Sequence, residues 1–115
     1  MNKVFFGFAL ADSMFASDCL VRRQVLTADE AKKIIEQGVE SCLNSSHEAT
    51  IVAMNERFGI EVAIPTTPPR VTLNAGDSLI VMGVRGLPRL TENRHYTTEE
   101  IADASFSFAI YTVIE

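Results

Sequence analysis

Residues 3–10, Lys3-Val4-Phe5-Phe6-Gly7-Phe8-Ala9-Leu10, hold three phenylalanines and a valine with no recurrence at the helical period. Such a run suits a β-strand buried on both faces. Ala11-Asp12-Ser13-Met14-Phe15-Ala16-Ser17 follows it. Its short polar side chains bond neighbouring backbone, which predicts a loop or a short helical turn. That segment leaves the carboxyl end of the strand, where ligands collect in α/β sheets.

Further along, Leu20–Leu26 reads as a second strand, and Thr27 with Glu30 forms a capping box that opens a helix to about Gln37, stopped by Gly38. Ser45-Ser46-His47-Glu48 predicts a second capping box, opening a helix to Phe58 in which Ile51, Val52, Met54 and Phe58 recur near the helical period. Gly59 ends it. Ile60–Ile64 alternates as a strand before the breaker Pro65-Thr66-Thr67-Pro68-Pro69. Arg70 to Met82 then reads as a hairpin turning at Asn74–Asp77. Gly83–Tyr96 has no steady period and carries Arg85, Arg89 and Arg94, as expected of an exposed functional loop. Thr97 and Glu100 cap a third, short helix, and Ser105–Ile114 is a last strand. The expectation is one α/β domain over residues 1–115, with a mixed central sheet of about five strands flanked by helices.

Composition narrows the function. Ten Lys and Arg against fifteen Asp and Glu give a formal charge of −5, which argues against sequence-independent binding of long DNA or RNA. A short nucleotide held by a few arginines is compatible with that balance. Apolar residues at 47% and charged residues at 22% exclude a disordered or collagen-like chain. No run approaches the roughly 18–20 apolar residues of a membrane-spanning helix, and Asp12 interrupts the N-terminal apolar run before any cleavage pattern of an export signal. Cys19 and Cys42 form no disulfide framework. They are read as small core residues of an intracellular, cytoplasmic protein.

The sequence has no GxGxxG, GxxxxGK[ST], CxxC or HExxH, so dinucleotide, P-loop and zinc chemistry lack their usual signals. His47 stands in the first turn of its helix, where free N–H groups and the dipole attract an anion such as phosphate. A phosphate alongside would favour the protonated imidazole, able to act as a general acid; the alternative is a histidine that merely occupies the first turn. Arg70, Arg85, Arg89 and Arg94 either hold phosphate oxygens or pair with Glu92, Glu99 and Glu100. Glu92 itself is a base, a positioner of a hydroxyl, or the partner of Arg89.

Four stretches, in order, carry a resemblance: Met1-Asn2-Lys3-Val4 with the apolar strand after it, as far as Met14; Ser46-His47-Glu48-Ala49-Thr50; Pro69-Arg70-Val71 with the Gly76-Asp77 turn; and Arg89-Leu90-Thr91-Glu92 followed by Thr97, Glu99, Glu100 and Ile101. In these the chain resembles the small viral ring nucleases that act as anti-CRISPR proteins against type III systems. The second stretch is similar to that family's Gly-His-x-x-Thr and the fourth to its Arg-Leu-x-Glu. The resemblance implies a homodimer that binds cyclic tetra-adenylate across its two-fold axis in the host cytoplasm and cleaves it with neither metal nor other cofactor. In that family a ribose 2′-hydroxyl attacks the adjacent phosphorus, leaving a 2′,3′-cyclic phosphate. The matching residues here would be His47, protonating the departing 5′-oxygen, Glu92, aligning the hydroxyl, and Arg70 and Arg89, holding phosphates, with Ser13 as a further ligand contact. The chain departs from the family in lacking an asparagine after the first strand, in having Ser46 before the histidine, and in the added Gly86-Leu87-Pro88. A binding protein that sequesters the cyclic nucleotide without cutting it is the alternative.

Overall fold

Phe5 and Phe6 point to opposite faces of the sheet, and each anchors its own apolar cluster. The computed structural model describes residues 2–67, 70–87 and 96–114. In chain order it contains β1 (Val4–Gly7), β2 (Val21–Leu26), α1 (Ala28–Glu36), β3 (Glu40–Ser41), α2 (Glu48–Phe58), β4 (Ser78–Arg85), α3 (Thr98–Asp103) and β5 (Ser105–Val113). The strands form one mixed sheet in the order β2-β5-β4-β1-β3. β1 lies parallel to both β3 and β4, while β5 runs antiparallel to β4 and β2. The expected α/β domain with a mixed five-stranded sheet is what the chain forms.

One face of the sheet is covered by α1 and α2. Ala31 and Ile35 of α1 and Ile51 and Met54 of α2 pack on Phe6, Ile80, Met82 and Phe108. Phe6, Met54 and Ile80 are wholly buried there. On the other face Val71 and Leu73 close over Phe5, Leu79 and Val113, with Met14 and Phe15 packed against them. A short 3-10 turn at Asp12–Met14 delivers these last two, as the polar residues after β1 predict.

The caps of α1 and α3 form as read from the sequence. Thr27 Oγ1 accepts from Glu30 N–H while Glu30 Oε1 accepts from Thr27 N–H, and Thr97 and Glu100 do the same.

Three expectations are corrected. Among the described residues, 60–64 form no strand: Ile60 and Val62 are buried in alternation with exposed Glu61 and Ala63, but they cover the helical face without joining the sheet. Pro65, with no N–H to give, helps keep the segment out of a ladder. The Arg70–Met82 hairpin is also absent. Its turn exists, with Asp77 N–H donating to Asn74 O at 2.9 Å and Gly76 at φ +91°. Both sides of β4 are occupied by β1 and β5, so residues 71–73 cross the sheet's face, with one isolated bridge from Leu73 to Phe15. The third is at the start of α2, where the cap residue is His47 and not Ser45: a 3-10 turn at Ser45–His47 leads into the helix, and Asn44 organises it.

Candidate functional site

β1 and its two parallel neighbours end at one edge of the sheet, and β1 sits where the chain moves from one side to the other, with β3 on one flank and β4 on the other. Crevices at the carboxyl ends of strands at such a point are the usual ligand sites of open α/β sheets. Here Phe8 follows β1, and the Asn44–His47 turn follows β3. The half-buried His47 ring meets the Phe8 ring edge-on, with centroids 4.6 Å apart. Alongside, β4 continues from Val81, the partner of Gly7, to Arg85, paired all the way with β5. The two strands make a ledge that overhangs the end of β1, with exposed Arg85 at its tip.

The imidazole is engaged on one side. Asn44 N–H donates to His47 Nδ1 at 3.2 Å, and His47 N–H donates to Asn44 O at 3.0 Å. Asn44 Oδ1 accepts from Ser46 N–H at 2.9 Å and from the Ser46 hydroxyl. The sequence singles out His47 but not its neighbours Asn44 and Phe8. The signal for Asn44 was the Asn-x-Ser spacing of an Asx turn, whereas nothing local marked Phe8 as a neighbour of a residue so far along the chain.

Arg70 stands elsewhere. It is exposed and lines a groove of about 480 Å³ together with Lys3, Phe5, Glu40, Asn74 and Asp77. Lys3 and Asp77 precede β1 and β4, so this groove opens at the amino ends of the strands. The four residues of β1 separate it from the His47 edge by roughly 13 Å of strand. Ser13 is exposed in the 3-10 turn, which is held to residues 71–73 by Leu73 N–H donating to the Met14 carbonyl at 2.7 Å. Within one chain, then, Arg70 and His47 belong to different ends of the sheet. Arg89 and Glu92 lie outside the described residues. Among the described residues no three of His, Cys, Asp or Glu converge as metal ligands, and no helix is long and apolar enough to cross a membrane.

α2 connects the His47 edge to α3. From its last turn, Arg57 Nη1 donates to Ile101 O at 2.7 Å and Ala104 O at 2.8 Å, satisfying carbonyls at the end of α3. Its guanidinium lies 5.5 Å and 5.7 Å from the Phe58 and Phe106 ring centroids. Of the two cysteines, Cys42 packs against the Phe5 cluster, while Cys19 is exposed and not the core residue expected.

The fold and site define a small α/β protein whose mixed five-stranded sheet carries helices on one face and a histidine-bearing helix start at the carboxyl ends of its parallel strands. The STIV B116-like family model matches residues 7–108, and the chain belongs to that family. Among solved structures it is similar to B116 of Sulfolobus turreted icosahedral virus, with a TM-score of 0.69 and 19% identity, covering 96% of this chain and 99% of that one. At that identity the likeness establishes the fold. No curated protein matches the sequence.

Proposed function

We propose that the protein is a metal-independent ring nuclease that binds a cyclic oligoadenylate, cyclic tetra-adenylate first of all, and linearises it, switching off type III CRISPR signalling. The observation that carries this reading is the His47 imidazole at the start of α2, beside the carboxyl ends of β1 and β3, in a chain of the STIV B116-like family. A helix start offers N–H groups and the positive end of a dipole to a phosphate.

In the proposed reaction a ribose 2′-hydroxyl attacks the adjacent phosphorus and gives its proton to Glu92. The P–O5′ bond breaks, and the 5′-oxygen takes a proton from His47 Nε2. The products are a 2′,3′-cyclic phosphate and a 5′-hydroxyl; Glu92 and His47 then exchange protons with water. Arg70 and Arg89 hold phosphate oxygens and stabilise the charge that develops on them, and Ser13 contacts the ligand. The separation of Arg70 from His47 within one chain supports a homodimer with the ring across its two-fold axis, where one copy's arginine region can face the other's histidine edge.

The test is incubation with cyclic tri-, tetra- and hexa-adenylate in EDTA, followed by mass analysis. Linear di-adenylate ending in a cyclic phosphate is expected from the tetramer, and its loss in His47→Ala. Rings that bind but stay intact would replace this reading with sequestration. Rings that neither bind nor break would overturn both.

A further inference from the structure

The turn that begins α2 is closed by the imidazole itself. Asn44 stands just before the 3-10 turn Ser45–His47: His47 N–H donates to its backbone carbonyl, and the imidazole Nδ1 accepts from its N–H, the reach-back that Glu or Gln makes in a capping box. Resting on the ring-nuclease reading, we infer that Asn44 is a positioning residue for His47: it decides which ring nitrogen faces the ligand.

A nitrogen that accepts a hydrogen bond carries no proton, so the neutral ring holds its proton on Nε2. Nδ1 is occupied by Asn44 N–H, and Nε2 is the nitrogen left to meet a phosphate. The edge contact with Phe8 limits rotation of the ring. Asn44 Oδ1, by taking Ser46 N–H and the Ser46 hydroxyl, holds the turn in the shape that presents Asn44 N–H to the ring. When a bound phosphate favours a second proton, that proton enters at Nδ1 and displaces the contact from Asn44 N–H. Nε2 then gives its own proton to the departing 5′-oxygen and leaves a ring protonated on Nδ1. Exchange with water moves the proton back to Nε2 and the capping contact re-forms. Throughout, the bonds from Ser46 N–H to Asn44 Oδ1 and from His47 N–H to Asn44 O hold the turn that carries the ring, although Asn44 touches no substrate.

The experiment reads the ring directly. Long-range 1H–15N spectra of the free protein, with His47 assigned by comparison with His47→Gln, should show Nδ1 bare and Nε2 protonated. Asn44→Ala should give a mixture of the two tautomers, and Asn44→Ser, which keeps an uncharged capping acceptor, should restore the single form. On cyclic tetra-adenylate, Asn44→Ala should lower kcat roughly tenfold, a part of the 10²–10⁴ that a general acid supplies, with KM little changed and Asn44→Ser recovering most of the rate. A proton on Nδ1 in the free wild type, or an Asn44→Ala spectrum identical to it, overturns the positioning role. Equal cutting by wild type and Asn44→Ala overturns it too and leaves the ring-nuclease reading standing. A wild type with the expected tautomer that cuts nothing overturns the ring-nuclease reading instead.

Discussion

Asp77 is a buried carboxylate that ties the chain's beginning to the entry of β4. Its Oδ1 accepts from Lys3 N–H and its Oδ2 from Asn74 N–H, both at 2.9 Å. The bond from Lys3, opposed by burial and aided by Asn74, holds the carboxyl below its ordinary range. A depressed folded value means that the stabilisation is complete above the unfolded value of about 3.9 and is lost as pH falls through the folded one. Asp77→Ala should therefore cost about 1–3 kcal/mol near neutrality. The gap in melting temperature between variant and wild type should narrow as the pH drops below about 4. A gap unchanged from pH 7 to pH 2.5 would show that the charge is irrelevant. Thiol chemistry gives a second check at this scale. Burial, and then the nearby charge of Glu40, push the Cys42 thiol up, whereas Cys19 is exposed. A thiol-reactive disulfide at pH 7 should label Cys19 first, because the thiolate is the attacking species; faster labelling of Cys42 would contradict the packing described for it.

The helices were the most legible elements because their signals are local. Thr27 and Thr97 each meet a glutamate three residues on, and both boxes form with the predicted partners. Replacing either threonine by alanine should cost about 1 kcal/mol in urea melts. The two costs should add to within about 0.5 kcal/mol because the caps share no partner. At the start of α2 the same rule failed: it anticipates a carboxylate or carboxamide at the third position and does not count an imidazole as the acceptor. The reach-back bond falls one residue earlier than Ser45–Glu48 suggests, from Asn44 N–H to the His47 ring. The hairpin failed for a different reason. Asn74–Asp77 carries turn chemistry, but turn chemistry does not say whether the neighbouring strand will have a free side, and β4 has none. Alternation misled at Ile60–Ile64 because a segment laid across a core buries every second side chain just as a strand does. Of the candidate site, His47's place at a helix start was readable, while its neighbours Phe8 and Asn44 depend on long-range packing and on a local bond outside the usual motifs.

For the whole molecule, the β1 aromatics carry the two cores, and the sheet between them makes the faces interdependent. Phe6 is wholly buried among α1, α2 and β4, so Phe6→Ala should lower stability by about 3–5 kcal/mol in denaturant unfolding. Against a typical total of about 5–15 kcal/mol, that is a large share. A loss under about 1 kcal/mol would mean that the helical layer does not rest on β1. The strand order has a further consequence, which concerns time. β5 follows every other strand in the chain yet lies between β2 and β4, with Val21 meeting Val113 and Leu79 meeting Tyr111. Until β5 arrives, β2 has no neighbour and the sheet is two unconnected pieces. Its closure is therefore a late, non-local event, of the kind that slows folding and leaves strand edges open to other chains in the interval.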